Sequence, residues 1–482
     1  MNTPLRRLAT VVVVMFVVLM GASTWVQFVQ APTLNADQRN VRTQYREYGN
    51  ARGPIVVGDQ AVAVSVPIDD PYGYQRQYPG GAMYAPVTGF YSVVYQRSGI
   101  EEWLNTELNG SADSLFLTRL QDLVTGRQPL GASVQLTIDP VVQQAAWDAL
   151  GDQRGAVVAL DPTTGAILAM VSKPSFDPSV LAGHDPTAVT QAWTALHADP
   201  TRPMDNRAIA GNTYPPGSTF KLVTAAAALE NGFTVDTPVA APRELQLPNS
   251  TSVLRNFGGS ACSSTGATTL ADALRISCNT AFAQIGLDLG DDELRAQAEA
   301  FGFDTPLNVP MKVTESHFPE NPDAPQTALS AIGQYEVRVT PLQMALVSAA
   351  IANGGVPMEP YLVQTVRSQD LTVVDEAEPT ELDRAVSTAT ATALRDMMVG
   401  VVANGTGRSA QIPGVQVAGK TGTAQTTEDA PPHAWFTAFA PADAPRVAVA
   451  VIVENGGNMG NEATGGAVAA PIARAVIEAA LR

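Results

Sequence analysis

Ser218-Thr219-Phe220-Lys221, Ser277-Cys278-Asn279 and Lys420-Thr421-Gly422-Thr423 occur in that order along a chain of 482 residues. They supply two serine hydroxyls, an amide and two ammonium groups, which is equipment for acyl transfer through serine without a histidine. The chain has only four lysines (Lys173, Lys221, Lys312, Lys420), and two fall inside these motifs. A chance Ser-x-x-Lys is expected in roughly one such chain in four and a chance Lys-Thr-Gly in roughly one in thirty, so Lys-Thr-Gly carries more weight. Ser-x-Asn alone has little force, because both residues are common in loops.

A serine hydroxyl needs a base, and His184, His197, His317 and His433 lie in none of the motifs. A lysine buried beside a second cation can lose its proton near neutral pH and serve instead. On a helix Lys221 lies one turn above Ser218 on the same face, and Lys420 is the obvious second cation. Ser277 is suited to relay a proton to a leaving amine, and Asn279 offers a donor and an acceptor to a substrate amide. On a strand, Lys420, Thr421 and Thr423 could hold a carboxylate, while Gly422 lets a substrate backbone come close. The backbone amides of Ser218 and Thr423 are candidates for an oxyanion hole. Taken alone, Ser-x-x-Lys reads as an ordinary solvated helix; the other two motifs outweigh that reading.

The elements that must position these groups are legible from pattern. Pro215-Pro216-Gly217 forces a turn, and Ser218 to Glu230 reads as a helix stopping near Asn231-Gly232. A second helix, Thr269 to Ile276, leads into Ser277. Ser133 to Leu136 reads as a strand, and Asp139-Pro140 as the cap and first residue of a helix through Leu150. Apolar runs at Gly155 to Leu160 and Ala166 to Val171 flank the turn Asp161-Pro162-Thr163-Thr164-Gly165. Val415 to Ala424, Ala434 to Ala440 and Arg446 to Glu454 give three late strands, and Gly466 to Leu481 a closing helix. The implied class is α+β, an α/β sandwich whose five-stranded antiparallel sheet is assembled from both chain ends and flanked by helices.

Upstream, Arg6-Arg7 precedes an uncharged stretch from Leu8 to Ala31, long enough to span a bilayer core. The expected division is a cytoplasmic tail (1–7), a transmembrane anchor (8–30), a small non-catalytic pedestal (31–130) and the main domain (131–482). The paired arginines place the N-terminus in the cytoplasm and the rest outside; the rival is a cleaved signal peptide. Asn35 to Tyr48 suggests a stalk, Ile55 to Val57 with Ala61 to Val66 a hairpin, and Tyr72 to Tyr95 strands and turns rather than helix. A helical stretch from Ile100 through Leu108 to Leu123 completes the pedestal.

A net charge of −17 argues against nucleic acid as a partner. No Cys-x-x-Cys and no paired histidine spacing is present, so neither a metal nor another cofactor is expected. Cys262 and Cys278 would face an oxidising compartment outside the membrane. A bridge between them would contribute about 3 kcal/mol on the loop-entropy account and fix the Ser-x-Asn loop; the alternative is two small buried thiols.

The ordered set Ser-x-x-Lys, Ser-x-Asn, Lys-Thr-Gly resembles the signature of penicillin-binding proteins and serine β-lactamases. The resemblance to class B penicillin-binding proteins runs further. Arg52-Gly53-Pro54-Ile55, Gly99-Ile100-Glu101 and Asn105 resemble that family's pedestal. Leu160-Asp161-Pro162, Asn206-Arg207-Ala208, Tyr214-Pro215-Pro216-Gly217, Thr340-Pro341-Leu342-Gln343 and Ala434-Trp435-Phe436 resemble its transpeptidase domain. The short pedestal and the bias of arginine over lysine are most similar to the actinobacterial penicillin-binding protein A branch. Tyr335 departs from the pattern, standing after Gly333-Gln334 where many relatives have glycine.

The resemblance implies peptidoglycan D,D-transpeptidation, with Ser218 attacking stem peptides ending in D-Ala-D-Ala and β-lactam antibiotics acylating it as mimics. It implies a single-pass protein of the plasma membrane with its catalytic domain on the outer face. It also implies a polytopic glycan polymerase and a division or elongation complex as partners. A D,D-carboxypeptidase, a β-lactamase and a penicillin-binding sensor or division scaffold are the rival readings. The β-lactamase reading lacks a Glu-x-x-x-Asn element after Ser-x-Asn.

Overall fold

The computed structural model describes residues 3–30, 34, 48–115, 130–211, 213–425 and 430–482. Its centre is one five-stranded antiparallel sheet in the order β3-β4-β5-β1-β2. Here β1 is Gly155–Leu160, β2 Ile167–Lys173, β3 Ala418–Ala424, β4 His433–Ala440 and β5 Val447–Val453. Early and late strands meet where β5 pairs with β1, from Ala448 opposite Leu160 to Val453 opposite Gly155. Every residue of β1, β4 and β5 is buried. A sheet covered on both faces explains why these strands read as continuous apolar runs without alternation.

Val157, Val449 and Val451 face a layer made by the helices Pro140–Leu150 and Ala470–Ala480. Val158, Ala450 and Ile452 face the opposite way, into the larger core that contains Leu342 and Val347 of the helix Pro341–Ala352. That helix is apolar around its circumference and has eleven buried residues, as a central helix must. Thr340 caps it by accepting the Gln343 amide.

A second sheet has six strands, including Ile55–Val57, Gln60–Pro67, Tyr74–Gln77, Ser133–Leu136 and Val363–Arg367. Ile55–Val57 and Gln60–Pro67 form the expected hairpin. Beneath it Glu101, fully buried, accepts from Arg52 Nε at 2.8 Å and Arg76 Nε at 2.6 Å. Arg52 also donates to Asn105 Oδ1 at 2.6 Å. These contacts join the segments whose sequence resembled a pedestal.

Two expectations are corrected. Within Tyr72 to Tyr95 the chain forms a helix, Gly81–Thr88, despite Gly81 and Pro86. Pro86 cannot donate to the Ala82 carbonyl four residues back; the Ser175 hydroxyl donates to it instead at 2.7 Å. Burial of Tyr84, Ala85 and Val87 supplies the remaining drive. Between Ile100 and Leu108 there are two short helices, Ile100–Trp103 and Asn105–Leu108, separated at Leu104 (φ −108°, ψ 33°). The expected continuation from residue 116 to Leu123, and nearly all of the expected stalk, lie outside the described residues.

At the N-terminus, Thr3–Thr24 is an α-helix extended by a π-turn, Trp25–Val29. The 27 residues are long and apolar enough to cross a membrane, and none is buried against the other described residues.

Candidate active site

Ser218 sits on a tight turn. Gly217–Thr219 is a single 3-10 turn, and the α-helix proper runs from Lys221 to Glu230, three residues later than the sequence suggested. Gly217 has φ 53°, and a Cβ there would meet the Thr423 carbonyl oxygen at 2.9 Å, so only glycine fits. Its amide donates to the Gly333 oxygen at 2.9 Å, and Trp435 Nε1 donates to the Pro215 oxygen at 3.0 Å. The turn is thereby pinned between the edge strand β3, the neighbouring strand β4 and the Gly333 segment. Ser218 is half-buried, and among the described residues its Oγ makes no hydrogen bond.

One turn on, Lys221 is fully buried. Its Nζ lies 2.8 Å from the Ser277 carbonyl oxygen, 2.7 Å from Asn279 Oδ1 and 3.3 Å from Ser277 Oγ. Lys420 enters from β3, also fully buried, and its Nζ donates to Ser277 Oγ at 2.8 Å and to the Thr421 oxygen at 2.9 Å. The two lysines therefore meet at one hydroxyl. Burial pulls both ammonium groups down; the charge of Lys420 lowers Lys221 further, and Lys420 falls to about 7. A neutral Lys221 carries two N–H bonds. Ser277 O and Asn279 Oδ1 accept both, leaving the nitrogen lone pair for a hydroxyl proton.

Ser277 follows the short helix Leu270–Arg275 and its cap residue Ile276, and adopts φ 60°, in the left-handed region. Asn279 opens the next helix, Asn279–Leu289, and its Nδ2 donates to the Arg255 oxygen at 3.2 Å. Cys278 between them is 1% exposed and forms a disulfide with Cys262. The bridge thus ties the loop to the segment that follows Arg255.

On β3 the residues alternate. Lys420 points to Ser277, whereas the Thr421 and Thr406 hydroxyls bond each other at 2.6 Å. The room expected at Gly422 for a substrate is filled by the protein itself. A Cβ there would lie 2.9 Å from both the Pro216 oxygen and Trp435 Cβ. Thr423 is half-buried beside Gly217. Among the described residues β3 is the sheet's edge, with no further strand beyond it to pair its outward amides.

Pattern reading missed a supporting cluster behind the turn. Glu454, 7% exposed at the end of β5, accepts from Tyr214 Oη at 2.7 Å and from Arg207 Nε at 2.9 Å. Arg154 forms an ion pair with it at 2.6 Å without an aligned N–H. Burial next to Glu454 raises the Tyr214 hydroxyl pKa, and burial lowers that of His433, whose Nδ1 accepts the Asn455 amide. Arg207 and Glu454 stand 247 residues apart, so no local pattern joins them. Among the described residues no cluster of three His, Cys, Asp or Glu could hold a metal.

Two families of known proteins match this chain. Residues 155–478 match the penicillin binding protein transpeptidase domain, and residues 52–134 the penicillin binding protein A dimerisation domain. The peptidoglycan D,D-transpeptidase PbpA of Mycolicibacterium smegmatis is 49% identical, covering 100% of this chain and 99% of its own. That of Mycobacterium tuberculosis is 47% identical with the same coverage. The solved structure of penicillin-binding protein A from M. tuberculosis as a ceftriaxone acyl-enzyme superposes with TM-score 0.88 at 48% identity, covering 91% of this chain and 100% of that one. The penicillin G acyl-enzyme gives TM-score 0.86 at 48% identity, covering 90% and 100%.

Proposed function

The chain belongs to the class B penicillin-binding proteins, and from that premise we propose that it is a peptidoglycan D,D-transpeptidase acting through an acyl-enzyme on Ser218. The observation carrying this reading is the convergence on Ser277 Oγ of Lys420 and of Lys221, which follows Ser218 by three residues.

Ser218 Oγ attacks the carbonyl carbon of the penultimate D-Ala while its proton passes to the lone pair of neutral Lys221. The resulting oxyanion is held by the Ser218 and Thr423 amides. Ser277 Oγ relays a proton to the leaving nitrogen, the peptide C–N bond breaks, and terminal D-Ala departs. Lys420, with Thr421 and Thr423, attracts the substrate's terminal carboxylate, and Asn279 Nδ2 binds its peptide carbonyl. An amine from a neighbouring stem then attacks the ester, forming the cross-link and restoring the Ser218 hydroxyl. A β-lactam enters the same way, but its leaving nitrogen stays tethered and blocks the acceptor.

In this reading the helix of residues 3–29 anchors the protein in the plasma membrane with its N-terminus cytoplasmic and its catalytic domain outside. Among the described residues nothing packs against this helix, which leaves it available to a polytopic glycan polymerase in a septal wall-building complex. The test is incubation with a stem pentapeptide, with and without a stem-peptide amine acceptor. Released D-Ala together with a cross-linked dimer supports the transpeptidase. Release with water as the only acceptor would make it a carboxypeptidase.

A further inference from the structure

The start of the helix Asn279–Leu289 is buried, with Cys278 at 1% exposure and Thr280 at 0%. Its N-cap residue is Cys278, whose sulfur is engaged in the disulfide and whose side chain therefore caps no helix amide. Open amides in such a place would cost about 1–3 kcal/mol each. Asn256, 23 residues upstream of Asn279 and itself 9% exposed, supplies what the helix lacks. Its Oδ1 accepts the amide of Asn279 at 2.9 Å and that of Thr280 at 3.1 Å. Its Nδ2 donates to the Ser260 oxygen at 3.1 Å, which fixes which end of the amide faces the helix. The preceding residue, Arg255, receives Asn279 Nδ2 on its carbonyl. Meanwhile Ser277 is held at φ 60°, which costs a non-glycine residue about 1–2 kcal/mol. It persists only because its surroundings over-determine it.

We propose that Asn256 is a positioning residue of the acyl-transfer site. By capping this helix from outside, it holds Ser277 and Asn279 in the register at which both grip Lys221. The inference rests on the reading of Ser218 as nucleophile. Asn256 acts through Asn279 and the left-handed Ser277, and not on the reacting atoms. Lys221 and Lys420 are the buried charges bonded to this loop, while Arg255 pairs with Glu244 at its exposed rim.

The test uses the full chain in detergent and a fluorescent penicillin, with the acylation rate constant resolved from the non-covalent affinity. Asn256→Ala is expected to lower the rate constant about 30-fold or more while changing affinity less than about threefold, because misplacement of catalytic groups falls on the chemical step. Asn256→Asp keeps both accepted bonds, gives up the one donated to the Ser260 oxygen, and adds a negative charge that favours protonated Lys221. It should still fold, with a lowered melting temperature, and move the acid limb of the pH–rate profile to higher pH. Either an Asn256→Ala variant acylating at the wild-type rate, or both variants slowed with an unmoved pH profile and melting temperatures lowered in proportion, would overturn the proposal. Ser218→Ala runs alongside. Labelling that survives in it would defeat the nucleophile assignment, and this inference with it.

Discussion

Replacing Glu454 by alanine tests whether the nucleophile's turn depends on the buried ionic cluster behind it. The carboxylate neutralises Arg207, which is 3% exposed, and accepts from the buried Tyr214 hydroxyl. Arg154, with a side chain 34% exposed, can turn to water and adds little. Removing one partner of a buried pair leaves an uncompensated charge and costs about 3–5 kcal/mol. Arg207 keeps its bonds to the Thr201 and Arg202 oxygens, which places the expected loss toward the lower end. With an unfolding entropy of about 2.1 cal/mol/K per residue over roughly 350 residues, that loss lowers the melting temperature by about 4–7 °C. Tyr214 adjoins Pro215-Pro216-Gly217, so penicillin acylation should slow by about 10- to 100-fold through displacement of Ser218. The assay is thermal denaturation with acylation kinetics for Glu454→Ala, Arg207→Met and the double variant. Because the double variant leaves only the part-exposed Arg154 without its partner and no fully buried cation, it should be more stable than the summed single losses imply. A melting temperature lowered by less than about 1 °C, or strict additivity of the two losses, would refute the reasoning.

The other predictions concern the lysines. Lys221→Ala should fold and bind penicillin but acylate about 10²- to 10⁴-fold more slowly, as followed by stopped-flow or gel labelling. Lys420 titrates at about 7 in the free site, so kcat/KM should fall on the alkaline side of neutrality as the carboxylate-binding charge is lost. A bound substrate carboxylate raises that pKa, so the corresponding limb of kcat should lie at higher pH. Stability should respond to the same group. Its folded pKa lies below the unfolded value near 10.5, so between about 7 and 10 the unfolded chain binds the extra proton. Stability should then rise with pH by up to about 1.4 kcal/mol per unit; denaturation of Lys420→Met across that range should lack this part of the slope.

The sequence made visible those features in which local pattern and tertiary role agree. Strands buried on both faces, such as Gly155–Leu160 and Val447–Val453, show as apolar runs, and their antiparallel pairing across the chain ends follows. The motifs pointed to Lys221, Ser277, Asn279 and Lys420, which the fold brings within hydrogen-bonding reach. Hidden from pattern were features whose cause lies far along the chain. The helix Gly81–Thr88 tolerates Pro86 because Ser175 satisfies the freed carbonyl from 93 residues away. Gly422 is open to a local reading as substrate space, yet its neighbours are Pro216 and Trp435. Asn256 and Glu454 carry no motif at all, and their meaning arises only when remote amides and guanidinium groups arrive beside them.

Intact mass spectrometry after exposure to penicillin decides whether Ser218 carries the acyl group. One adduct of penicillin mass is expected on the wild-type chain, persisting for hours, and none on Ser218→Ala. An adduct of equal yield on the Ser218→Ala chain, or rapid turnover of penicillin with no lasting adduct on the wild type, would contradict it.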